Sequence, residues 1–75
     1  MSVEWTDGFE LIAEDAYRRM YDATSPSEAT ARYSDAKEAL YSAIERAQAL
    51  GDPKRVERLQ KRLAEIKAVF RSQFS

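Results

Sequence analysis

The sequence predicts an all-α fold, a compact antiparallel (up–down–up) bundle of three helices. Three observations predict it. Apolar residues recur at three- and four-residue spacings along the 75 positions, with no alternating strand pattern. Two breaks, Ser25-Pro26 and Gly51-Asp52-Pro53, divide the chain. The connections they leave are about two or three residues long, which normally joins antiparallel neighbours. The helices are expected at about 8–23, 26–50 and 53–73, each end good to about ±2–4 residues. They form one domain over 1–75, preceded by an extended segment over 1–6.

The first helix is read from Asp7-Gly8-Phe9-Glu10. Asp7 can accept the orphan amide of Glu10, and Glu10 can reach back to the amide of Asp7. Its apolar stripe runs Phe9, Ile12, Ala16, Met20 and Ala23, widened by Ala13 and Tyr17. Helix 2 repeats the capping logic with Ser25 and Glu28, and Pro26 fills the first helical position, where no amide hydrogen is needed. Ala29, Tyr33, Ala36, Leu40, Ala43, Ala47 and Leu50 form its seam, flanked by Ile44. Gly51 is placed to take the left-handed conformation that closes this helix. Asp52 then caps helix 3 and Pro53 opens it. The third stripe is Val56, Leu59, Leu63, Ile66, Phe70 and Phe74.

Side-chain size assigns the middle. Helix 2 is rich in alanine, whereas helices 1 and 3 carry Phe, Ile, Leu and Met, so helix 2 is expected to touch both others. At 1.5 Å per residue helix 2 is about 37 Å long and helix 1 about 24 Å. Helix 1 should therefore stop short of Gly51 and leave Leu50, Val56 and Ala47 thinly covered. Trp5 is expected to fold over that end; failing that, a partner or a second copy would cover it.

Composition excludes much chemistry. The chain has no Cys, no His and no Asn. Disulfides, Cys/His zinc sites, histidine acid–base catalysis, cysteine nucleophiles and N-glycosylation are all ruled out. With Gly8 and Gly51 as its two glycines, it has no phosphate loop and no dinucleotide fingerprint. Glu10, Glu14 and Asp15 are the nearest approach to a carboxylate cluster and read as a solvated helix face. Ser25 and Ser27 read as capping residues, and Ser34 and Ser42 fall on the polar side of helix 2. The expectation is a protein that is not an enzyme, with no cofactor, metal or small-molecule substrate. No apolar run approaches the ~20 residues of a membrane span. The acidic start Met1–Asp7 is unlike a secretory or mitochondrial leader, so a cytoplasmic, membrane-free setting is expected.

Net charge is −1 but unevenly distributed. Residues 1–30 carry seven acids and two bases, while residues 51–75 carry three acids and seven bases. Either an acidic helix 1 neutralises a basic helix 3, or helix 3 offers a basic face to an acidic partner. That face comprises Lys54, Arg55, Arg58, Lys61 and Arg62, interrupted by Glu57 and Glu65. It has no interleaved aromatic residue on which bases could stack. The principal expectation is a small helical protein–protein interaction module, working through a protein partner or self-association. Its candidate surface is Tyr17, Tyr21 and Tyr41 with Leu50 and Val56 at the hairpin end; Tyr33 reads as core with its hydroxyl at the rim. The alternative is a nucleic-acid-binding accessory protein using the basic face of helix 3.

Over residues 33–66, Tyr33-x-x-Ala36, Ala43 and Leu50-Gly51-Asp52-Pro53 resemble the second helix of a tetratricopeptide repeat running into the next. A single partial repeat cannot build a solenoid, which needs about three. No function is carried across on this resemblance.

Overall fold

The computed structural model describes the backbone of residues 5–74 and the side chains of residues 8–73. Three helices, α1 (Trp5–Tyr21), α2 (Pro26–Ala49) and α3 (Pro53–Phe74), form an all-α bundle 39 × 20 × 15 Å in extent. None of them is long and apolar enough to cross a membrane.

Both breaks act through local hydrogen bonds. Ser25 is extended, and its hydroxyl accepts the Glu28 amide at 3.1 Å. The Glu28 carboxylate reaches back to the amide and hydroxyl of Thr24, one residue before the expected partner. At the other end of α2, Gly51 has φ +71°. Its amide donates to the Gln48 carbonyl at 3.1 Å, and the Asp52 amide donates to the Ala47 carbonyl at 3.0 Å. This paired closure needs a left-handed residue at position 51, which glycine adopts without a Cβ penalty. The Asp52 carboxylate then accepts the Arg55 amide at 3.2 Å and so starts α3.

α1 is displaced from 8–23 within the expected margin at both ends. It begins at Trp5 instead of residue 8, so residues 5 and 6 are helical and not extended. Asp7 and Gly8 are interior residues of its first turns, where an acidic side chain suits the helix dipole. Asp7 is therefore within the helix and does not precede it, and the expected cap concerns a side chain outside the described residues. The helix stops at Tyr21 with a tightened last turn, the Ala23 amide bonding to the Met20 carbonyl at 3.2 Å. This leaves a four-residue connection, 22–25.

α2 is the central helix. Its backbone runs close to α1 along much of its length and close to α3, whereas α1 and α3 barely approach one another. The core joins Ala13 and Ala16 of α1, Ala36, Ala39, Leu40, Ala43, Ile44 and Ala47 of α2, and Leu59, Leu63 and Ile66 of α3. Tyr33 stacks on Phe70 with ring centroids 3.9 Å apart, so this tyrosine joins α2 to α3.

The phase of α1 differs from the expected stripe. Ala13 is fully buried, whereas Ile12 is 56% exposed. Alanines on both helices let α1 and α2 approach closely, and such a seam has no room for a branched side chain on its centre line. Ile12, one position and 100° away from Ala13, is turned to the flank.

Candidate interaction surfaces

The α1–α3 side is built from charge. Glu10 faces Arg58 in a two-point ion pair at 3.0 and 3.1 Å, and Arg55 approaches the same carboxylate at 3.6 Å. One turn further on, Glu14 faces Arg62 with both bonds at 2.7 Å, and Arg62 also donates to Glu65 at 3.2 Å. Both inter-helix pairs have a sequence separation of 48, so α1 and α3 run parallel and in step. Long Arg and Glu side chains span the gap that their backbones leave. The hydrogen bonds from Arg62 hold the Glu14 carboxyl below its ordinary value, outweighing the opposite effect of burial. The same bonds hold the Arg62 guanidinium protonated well above its ordinary range.

Three of the five expected basic-face residues, Arg55, Arg58 and Arg62, are thus engaged with α1 acids. Lys54 and Lys61 remain exposed, with no ion pair among the described residues. The charge gradient hinted at this arrangement. The register did not, because it depends on where α1 docks on α2, and Glu10 and Glu14 read locally as solvated.

The same step places the tyrosines on two sides. Tyr17 and Tyr21 meet edge to face at 5.4 Å, and the Arg62 guanidinium lies 4.8 Å from the Tyr17 ring centre. Burial chiefly, and then Tyr21, pushes the Tyr17 phenol up. Tyr41 sits instead beside Lys67, 5.8 Å from its ring centre. Arg62 and Lys67 are five residues apart on α3, about 140° round its axis. Tyr17 and Tyr21 therefore border the α1–α3 side, and Tyr41 borders the α2–α3 side away from α1.

The hairpin end is part covered. The 48-residue step brings the backbone of Trp5 level with Pro53, so α1 reaches the start of α3 and is not a turn too short. Val56 packs on the core while Leu50 is 55% exposed. A shallow groove of about 350 Å³ runs past Gln48, Gly51, Pro53, Val56 and Gln60. The expected fold of Trp5 over this end concerns a side chain outside the described residues.

One surface escaped the sequence reading. On the side of α1 and α2 that α3 does not enter, a groove of about 440 Å³ runs between Phe9, Ile12 and Ala16 on one wall and Glu38, Ala39 and Ser42 on the other, with Asp15, Arg19, Arg32 and Asp35 also lining it. Ile12 stands at its edge, and Leu11, 73% exposed, lies beyond it on the outer face of α1. The available signal was the pair Leu11-Ile12: neighbours 100° apart on one helix cannot both face a narrow alanine seam.

Where α1 turns into α2, Arg18, Arg19 and Arg32 gather with Asp15, Asp22 and Glu28. Asp15 holds Arg18 at 3.0 Å and Arg19 at 2.7 Å, and Asp35 holds Arg32 at 3.1 Å. Hydrogen bonds from Arg19 and then Arg18 keep the Asp15 carboxyl below its ordinary value. The charges balance within the cluster, which gives it little attraction for a free anion. Among the described residues no three His, Cys, Asp or Glu side chains come together as a metal site.

A scan against protein-family models finds no match for this chain, and neither do comparisons with curated proteins and with solved structures.

Proposed function

We propose that this chain is a non-catalytic helical protein–protein interaction module of the cytoplasm. The observation that carries this reading is the α1–α2 groove, where Ile12 is 56% exposed beside Phe9 and Ala39 on a face no third helix covers. The groove is apolar at Phe9, Ile12, Ala16 and Ala39 and charged at Asp15, Arg19, Arg32, Asp35 and Glu38, which suits an amphipathic helix laid into it. The nucleic-acid reading is the weaker one, because Arg58 and Arg62 each spend two hydrogen bonds on α1 carboxylates. That leaves too few free cations for strong phosphate binding.

The test is affinity capture from extract of the source cells with wild type and Ile12→Glu, after circular dichroism has shown both to be helical. A bound protein, whether a foreign chain or untagged copies of this one, should fall about tenfold or more with Ile12→Glu. Equal recovery by both overturns the reading. Retention on heparin that Lys54→Glu with Lys61→Glu abolishes would favour nucleic acid instead.

A further inference from the structure

Independently of the α1–α2 groove, we infer that the α2–α3 face turned away from α1 is the docking surface for an acidic helix of another protein. Lys37 of α2 and Lys67 of α3 carry this reading, and both are half-buried. The Lys37 ammonium lies 4.5 Å from the Tyr33 ring centre, and the Lys67 ammonium 5.8 Å from that of Tyr41. A ring face attracts the cation without replacing the oxygen acceptors its three donors seek. Neither lysine has an ion pair among the described residues. The nearby carboxylates are turned elsewhere: Asp35 holds Arg32, Glu65 holds Arg62, and Glu38 lines the groove on the α1 side. Glu45 and Glu57 are more than two turns from Lys37 and Lys67 along their own helices, both toward the hairpin end.

The molecule itself demonstrates how such cations are met. On the other side of α3, Arg58 and Arg62 are answered by Glu10 and Glu14 of an acidic helix, α1. The lysine face lacks that answer, and charge complementarity assigns it to a partner. Spacing selects the partner. The rings that hold the two ammoniums are eight residues apart on α2, about 12 Å along its axis. Two carboxylates about two turns apart on a facing helix match that span, and a single phosphate does not. Nucleic acid fits less well, because the Tyr33 ring already carries Phe70 and Lys37, which leaves Tyr41 alone to stack on a base. Gln48 and Gln60 lie two turns from Tyr41 and Lys67 and so on the same face. The shallow groove past Val56 is therefore its apolar end, and Tyr41, 49% exposed, stands between the two.

The test is NMR titration of the isotope-labelled chain with a helical peptide of about 20 residues, long enough to hold its helix, that carries Glu two turns apart beside a Leu and Ala stripe. A counterpart has Gln in place of Glu. Amide shifts should follow Lys37, Tyr41, Val56 and Lys67, and the Gln peptide should bind about tenfold more weakly. Lys37→Glu with Lys67→Glu should lose the Glu peptide to the same degree and prefer one carrying Lys. The peptide comparison uses wild type, so it decides the matter even where that variant does not fold. Ile12→Glu should leave the titration unchanged, which separates this face from the α1–α2 groove. No shifts up to about 1 mM peptide, or equal binding of the Glu and Gln peptides, overturns the inference. Shifts centred on Ile12 and Ala39 overturn it and leave the module reading standing. An oligothymidylate that moves the same amides at lower concentration than the Glu peptide overturns the acidic helix in favour of nucleic acid.

Discussion

The two seams of α1 are made on opposite principles. Against α2, Ala13 is fully buried and Ala16 nearly so, and the backbones run close. Against α3, the backbones stay apart and Glu10 and Glu14 reach Arg58 and Arg62 across the gap. Small residues fix a distance; long charged ones fix a register. The alanine seam tolerates no added volume, whereas the ion-pair ladder is half in water and its members can move aside.

Three measurements bear on this contrast. The largest effect is expected from Ala13→Leu, which forces a branched side chain into the closed seam and should cost about 1–3 kcal/mol in urea unfolding. Ala64→Leu, on the exposed side of α3, should change stability by no more than about 0.5 kcal/mol. Comparable losses would mean that α1 and α2 are not closely packed. Next is Arg58→Met with Arg62→Met, which removes the ladder. Partly exposed pairs are screened, so the loss should be about 1 kcal/mol and should shrink in about 1 M salt. A loss larger than that of Ala13→Leu would reverse the comparison.

The smallest effect is one of pH. Glu14 titrates below its ordinary value near 4.5 in the folded chain, so its contribution is present above that value and is lost as pH falls through the lowered one. Glu14→Gln should be less stable than wild type at pH 7 by about 0.5 kcal/mol. The two should converge in acid, as urea midpoints at both pH values would show. A gap that stays constant would assign the loss to packing and not to charge.

The same contrast explains what could be read in advance. The limits of α2 and α3 were legible because Ser25-Pro26 and Gly51-Asp52-Pro53 act within a few residues of themselves. The start of α1 was not, because Asp7-Gly8 imitates a cap that the interior of a first turn also accepts. Its phase was ambiguous as well: Phe9-Ile12-Ala16 and Phe9-Ala13-Ala16 both have helical spacing, and only the distance to α2 chooses between them. The ladder and the α1–α2 groove follow from that choice, so neither had a local signature. Leu50 and Val56 were picked out from the lengths of helices 1 and 2, and Tyr17, Tyr21 and Tyr41 from residue type and spacing, yet their separation onto different sides depended on the docking of α1.

Asp52 belongs to two helices at once. Its amide finishes α2 and its carboxylate begins α3. The corner between them has no spare link, so an inserted residue there would undo a stop and a start together. The corner at 22–25 shares no residue in this way. The molecule is thus a welded pair of rods with a third hung on a longer strap, and the strap is where chain can be spliced in without unsettling the weld.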